Sequence, residues 1–138
     1  MSRATFAVLA ASLAFAAATP VRAWPDKPVE LVVGFAAGGG TDITARTLAI
    51  HLARELGGQV VVANRPGASG AIGLAYVARA KPDGHVIAMT NMPGLVTLPI
   101  ERDAGFKSGD FSYLGNLVRD PSAVSVVLES PYRTLADL

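Results

Sequence analysis

From Val29 onward, short apolar runs alternate with glycine-bearing turns and longer amphipathic stretches. Val29-Glu30-Leu31-Val32-Val33 follows a proline-rich entry at Pro25 and Pro28 and has the near-continuous apolar character of a buried strand. A glycine-rich turn, Gly34 to Gly40, comes next. Over Thr41 to Leu56 the period lengthens to that of a helix. Leu48, Leu52 and Leu56 fall four apart with Ala45 and Ala49 beside them, and Gly57-Gly58 supplies a stop. The cycle then repeats. Val60-Val61-Val62 marks a second strand over Gln59 to Ala63, Asn64-Arg65-Pro66-Gly67 a turn, and Ser69 the cap of a helix over Gly70 to Ala80, in which Ile72 and Tyr76 are four apart. Lys81-Pro82-Asp83-Gly84 is a strong turn signal, and His85 to Thr90 reads as a third strand. A loop is expected through Asn91-Met92-Pro93-Gly94. Tyr113 to Val118 and Val124 to Leu128 are further strand candidates, and Thr134 is placed to cap a helix beginning Leu135-Ala136-Asp137.

Strand–helix–strand–helix–strand is the order of an α/β fold, a parallel sheet flanked by helices. A helix that starts just before Leu138 is too short to close a domain, which leads to the expectation of a truncated chain or a partial record of a longer protein.

The first stretch has a different character. Arg3 is followed by an uncharged run from Ala4 to Ala18, and then by Val21-Arg22-Ala23 with small residues at its first and third positions. A basic head, an apolar core too short to span a bilayer and a small-x-small site predict a secretory signal over 1–23, cleaved after Ala23, and hence a periplasmic protein. Cleavage removes Arg3 and Arg22 from 12 basic side chains and spares all 11 acidic ones, so the remainder is slightly acidic. Such a balance argues against nucleic acid as a partner. With no cysteine and two isolated histidines, His51 and His85, neither a disulfide nor a metal site is expected, and no cofactor.

Ligands of open parallel sheets gather outside the carboxyl ends of the strands. Three turns emerge there. In the first, Phe35, Ala36, Gly39, Gly40, Thr41 and Asp42 are candidates: the glycines permit close backbone approach, and the helix that follows offers unpaired N–H groups and the positive end of its dipole. Gly67, Ala68 and Ser69 form a second cluster, and Thr90 and Asn91 end the third strand. Several N–H groups from two turns suffice to hold a carboxylate without an arginine, since each hydrogen bond to a charged group contributes ~1.5–3 kcal/mol. Plainer roles stand beside these. Asp42 and Arg46, four apart, form an ion pair; Thr41 caps its helix; Arg65 is a carboxylate clamp or an exposed loop residue; Asn91 shapes its turn. The P-loop pattern is absent, because Gly40 is followed by Thr41 with no lysine. In the dinucleotide pattern Ile43 stands where the last glycine belongs. No Gly-x-Ser-x-Gly elbow occurs, and no catalytic residue is assigned.

Taken in order, these motifs carry a resemblance. Trp24-Pro25-Asp26-Lys27-Pro28, Val33-Gly34-Phe35 with Gly38-Gly39-Gly40-Thr41-Asp42 and Arg46, Asn64 to Gly70 with Ile72-Gly73, Pro82-Asp83-Gly84-His85, Asp110-Phe111, and Ser130-Pro131 with Thr134 to Leu138 resemble the tripartite tricarboxylate transporter receptors, or Bug proteins. The resemblance covers Trp24 to Leu138 and is weaker over Met92 to Lys107, where a polar loop with a helix start is expected. It implies a two-lobed periplasmic binding protein (type II-like) that is monomeric at full length, with this chain its first lobe, over 24–138, and the second absent. It also implies a small carboxylate as ligand, held by the first two turns, and delivery to the membrane permease of a tripartite transporter. An exported α/β enzyme acting on organic acids and a ligand-sensing module are the alternatives.

Overall fold

The computed structural model describes residues 23–120 and 123–137; the expected signal segment, save Ala23, lies outside the described residues, as does Leu138. Three strands, β1 (Val29–Val33), β2 (Val60–Asn64) and β3 (Val86–Met89), form a parallel sheet in the order β2-β1-β3. The register pairs Val29 with Val60 and Val33 with Asn64 on one side, and Glu30 with Val86 and Val33 with Met89 on the other. Helix α1 (Gly40–Leu56) connects β1 to β2, α2 (Ala71–Ala78) connects β2 to β3, and α3 (Met92–Glu101) follows β3.

Alternate residues of a strand face opposite sides of the sheet, and β1 shows where each helix lies. Leu31 and Val33 pack with Ala45 and Ala49 of α1, whereas Glu30 points the other way and accepts a hydrogen bond from the Tyr76 hydroxyl of α2 at 2.9 Å. The two connections therefore run over opposite faces, and β1 sits where the strand order reverses. The helix alanines lie nearest the sheet, and their size lets α1 approach closely; Leu48, Leu52 and Leu56 flank the contact half-buried. Gly57, at φ 61°, ends α1 as expected, with Gly58 N–H bonding back to Ala53 O at 3.2 Å. On the α2 face a second core joins Ala71, Leu74 and Ala75 to Leu95 and Leu98 of α3 and to Phe106. At the amino end of the sheet, Trp24 Nε1 donates to Asp83 O and Lys27 Nζ meets the Asp83 carboxylate.

Several expectations are corrected. The segment through Asn91 to Gly94 is the start of α3, not a loop: Pro93 occupies its first turn, where a missing N–H costs nothing. Ser69 does not cap α2; Gly70 holds the cap position and Ser69 has a left-handed φ of 56°. Neither Tyr113 to Val118 nor Val124 to Leu128 is a strand. Their composition suits a strand, but strand preference is realised only against a partner, and among the described residues no pairing partner adjoins them. Past Thr134 there is one 3-10 turn, Leu135–Asp137, with the Asp137 carboxylate accepting from the N–H groups of Arg133 and Thr134.

Candidate functional site

The parallel register brings the first two turns to the same end of the sheet. Because Val33 pairs with Asn64, the chain leaves β1 and β2 side by side, and Arg65 N–H still bonds to Val33 O at 2.8 Å. The turns then touch. A Cβ placed on Gly34 would sit 2.9 Å from the Gly70 Cα, and one on Gly73 would sit 3.0 Å from the Gly34 Cα. Only glycine fits such a crossing. The Phe35 ring covers the joint from the side, 3.5 Å from where a Cβ of Gly70 would lie.

The first backbone bond of α1 runs from Ile43 N–H to Gly39 O, at 2.9 Å. The N–H groups of Gly40, Thr41 and Asp42 precede it and are the unpaired donors of a helix start. Gly39 and Gly40 are exposed and Thr41 is half-buried. Ala36 is exposed, and its carbonyl accepts the Gly39 N–H at 3.4 Å. In the second turn four successive residues have positive φ: Gly67 at 130°, Ala68 at 48°, Ser69 at 56° and Gly70 at 95°. For Ala68 and Ser69 this conformation costs about 1–3 kcal/mol each, strain of the kind that persists where a particular backbone shape is needed. Gly67, Ala68 and Ser69 are all exposed, so the two turns form an open shelf. Thr90 and Asn91 lie at the same end, after β3, with Thr90 half-buried and Asn91 at the cap position of α3. The start of α3 reaches the second turn: a Cβ on Gly94 would lie 3.9 Å from Ser69 O, and Arg102 donates to Ala68 O at 2.9 Å.

Asp42 differs from the other candidates. It is 2% exposed. Its Oδ2 accepts from Gly38 N–H at 2.8 Å and Arg46 Nε at 2.9 Å, and its Oδ1 accepts from Asn64 Nδ2 at 2.9 Å. The Arg46 guanidinium, then the Gly38 N–H and the Asn64 amide, hold its carboxyl well below the usual carboxylate range against the opposing effect of burial. The i,i+4 ion pair with Arg46 is present, as expected, but Asp42 carries more than that pair. Asn64 was legible only as a turn residue. Its partners lie 18, 22 and 29 positions away in the chain, and no local pattern announces them. Arg65 is held rather than free: it pairs with Glu30 Oε1 at 3.0 Å and stacks 3.7 Å over the Tyr76 ring, on the α2 face. A cavity of about 590 Å³ on that face is lined by Arg65, Tyr76, Arg79 and Lys81 and lies apart from the shelf. A smaller one, about 460 Å³, meets the second turn at Ala68.

A sheet whose order reverses at its central strand, with helix starts converging at its carboxyl end, places a ligand crevice outside that end. The solved structures agree. A periplasmic binding protein, BugD, matches at a TM-score of 0.59 and 45% identity over 62% of this chain and 28% of its own. An R. palustris protein solved with adipate matches at 0.55 and 34% identity, over 63% of this chain and 29% of its own. A family model, "Tripartite tricarboxylate transporter family receptor", matches residues 44–138. Among curated relatives, a UPF0065 protein of Cupriavidus necator is 34% identical over 99% of this chain and 43% of its own length, and the Bordetella pertussis protein BugT is 36% identical over 64% of this chain and 27% of its own. The chain belongs to the tripartite tricarboxylate transporter receptor family, and it spans less than half the length of the relatives it matches.

Proposed function

We propose that this chain supplies one wall of a periplasmic receptor that captures a small carboxylate and releases it unchanged to a membrane permease. One carboxylate group of the solute is received by the N–H groups of Gly40 to Asp42, which follow Gly39, and of Gly67 to Ser69. Phe35 and Ala36 border the first cluster, and Thr90 and Asn91 meet the solute from the third strand. The observation that carries this reading is the pairing of Val33 with Asn64, which sets two exposed turns next to each other. The helix start adds a favourable dipole of ~0.3–1 kcal/mol for an anion, and each N–H bond to the charged group adds ~1.5–3 kcal/mol. The adipate bound by a structural neighbour is of the chemical class proposed. In this reading residues 1–23 form an export signal cut after Ala23, and 24–138 the first lobe.

Removal of one donor tests the proposal. Gly39 already has an extended backbone, φ −74° and ψ 165°, which is what a following proline requires, and no atom lies within 4 Å of a Cβ on Gly40. Gly40→Pro therefore deletes a single N–H at a position where helices accept proline. Calorimetric titration with a panel of mono- and dicarboxylates should show binding weakened by about tenfold or more, with the melting temperature nearly unchanged. Equal affinity in the wild type and the variant would refute the cradle. A product formed from any acid in the panel would refute passive capture.

A further inference from the structure

We propose that Asp42 is a positioning residue: with Arg46 and Asn64 it closes a ring of side chains that locks the first turn to the second and sets the spacing of the N–H groups above it. The inference rests on the carboxylate-cradle reading of those turns and assigns the part that holds them in place. The ring is closed on every side. Asp42 Oδ2 takes Arg46 Nε at 2.9 Å, Asp42 Oδ1 takes Asn64 Nδ2 at 2.9 Å, and Arg46 donates to Asn64 Oδ1 at 3.1 Å. Two more bonds tie the ring to the first turn: Gly38 N–H to Asp42 Oδ2 at 2.8 Å and Asn64 Nδ2 to Phe35 O at 3.0 Å. Asp42 and Arg46 belong to α1, Asn64 is the last residue of β2 and opens the second turn, and Phe35 and Gly38 belong to the first. An ion pair that merely steadied a helix would need only Arg46. The bonds to Gly38 and Asn64 cross between elements, and with Arg46 they engage both oxygens of a carboxylate that is 2% exposed, so the Asp42 side chain is shielded from direct contact with a solute.

Electrostatics and positioning make opposite predictions for Asp42→Asn. The variant removes a negative charge beside an anion site and leaves Arg46 uncompensated. On charge alone the solute should bind more tightly. Positioning predicts the reverse. An amide has one acceptor oxygen. Turned toward Gly38 and Arg46, it sets its NH₂ against the NH₂ of Asn64; turned the other way, it sets that group against Gly38 N–H and Arg46. In either pose two donors face each other and the turns separate. Asn64→Asp combined with Asp42→Asn relieves the donor–donor clash by moving the carboxylate across the ring, where Arg46 still reaches it, but loses the bond to Phe35 O and sets a carboxylate oxygen against it, so the repair is partial.

The test uses the whole chain, with adipate as titrant and amide hydrogen exchange measured without ligand. Asp42→Asn is expected to weaken adipate binding by about tenfold. It should also speed exchange at Gly38, Gly70 and Ala71, whose N–H groups are bonded within the two turns, with little change in β1. The double variant should recover part of both effects. Asn64→Ala, which leaves the Asp42–Arg46 pair intact, should loosen the same two turns and serves if Asp42→Asn does not fold. Unchanged exchange in the turns, or adipate binding as tight as or tighter than wild type in Asp42→Asn, overturns the lock. If the wild-type chain, as one wall of the receptor, binds adipate too weakly to titrate, the exchange pattern in the unliganded protein decides by itself whether the ring holds the turns together.

Discussion

Residues 29–110 and residues 111–137 are comparably rich in apolar side chains, but they use them differently. In the first region Val29, Leu31, Val32 and Val33 are at most 1% exposed, and Leu31 and Val33 join the core against α1. In the second, Leu114 is 86% exposed, Leu128 81%, Val124 72% and Val127 72%. Apolar content therefore does not decide what is buried. What decides it is whether a segment has a neighbour: β1 is hydrogen-bonded on both edges and covered by a helix on each face, while the later segment has no pairing strand among the described residues. The polar shelf belongs to the first region, because a rigid sheet is what can hold two turns at a fixed distance.

The largest effect that would sharpen this contrast is a cavity under α2. Leu74 is 3% exposed and touches the cluster that joins α2 to α3. Leu74→Ala should cost about 2–5 kcal/mol, read as a lower denaturation midpoint in urea with an unchanged slope. A loss below about 0.5 kcal/mol would mean that the α2–α3 face is not a packed core and would erase the distinction between the regions.

Next comes the crossing of the two turns. Gly34→Ala drives a methyl to 2.9 Å from the Gly70 Cα and 3.0 Å from its carbonyl oxygen, both backbone atoms that cannot swing aside. A cost of about 1–3 kcal/mol is expected, together with weaker carboxylate binding because the second turn is displaced. Stability lost without any change in binding would show that the crossing is structural only.

What was legible follows the same division. The cycle β1-α1-β2-α2-β3 was written locally, in runs of valine and in leucines four apart, and only the ends moved by a residue or two. Helix α3 was not legible, because Met92-Pro93-Gly94 reads as breakers, although Pro93 in a first turn is harmless and Gly94 sits where the backbone passes Ser69. The Asp42–Asn64 bond was hidden for another reason: it links positions brought together only by the register of β1 on β2. Over Val124 to Leu128 the error ran the other way, since β-branched composition states a preference that only a partner strand can realise.

A smaller effect concerns acid. Asp83 accepts a bond from the His85 backbone N–H at 3.0 Å and meets Lys27 Nζ at 3.2 Å. Chiefly through that backbone bond, its pKa is lowered to about 2. In the unfolded chain it returns to ~3.9. A carboxyl depressed on folding stabilises the fold fully above its unfolded value, and that contribution fades as pH falls from ~3.9 towards the folded pKa. The His85 ring nitrogens lie 3.1 Å from Asp26 and 3.2 Å from Asp83, off the hydrogen-bonding direction, so both carboxylates act there as neighbouring charges. Asp83→Asn should lower stability at pH 7, where the contribution is fully present, and flatten the loss between pH 4 and pH 2, so that the two curves converge at low pH in thermal melts at closely spaced pH. An unaltered acid limb would remove Asp83 from the anchoring of the amino end.

The smallest effect lies in the second region and tests the comparison from its other side. Leu128→Ser replaces a large apolar side chain, the kind of change that is severe in a core, but at 81% exposure there is little burial to lose. The expected change in stability lies within about 0.5 kcal/mol, against several for Leu74→Ala. Backbone amides over Val124 to Leu128 should exchange rapidly in the wild type, while those of Leu31 to Val33 are protected, because exchange follows the hydrogen bonding and burial that β1 has and this segment lacks. A cost of 2 kcal/mol or more for Leu128→Ser, or protection over Val124 to Leu128 equal to that of β1, would show that the segment is paired in solution and that its apolar residues serve a core after all.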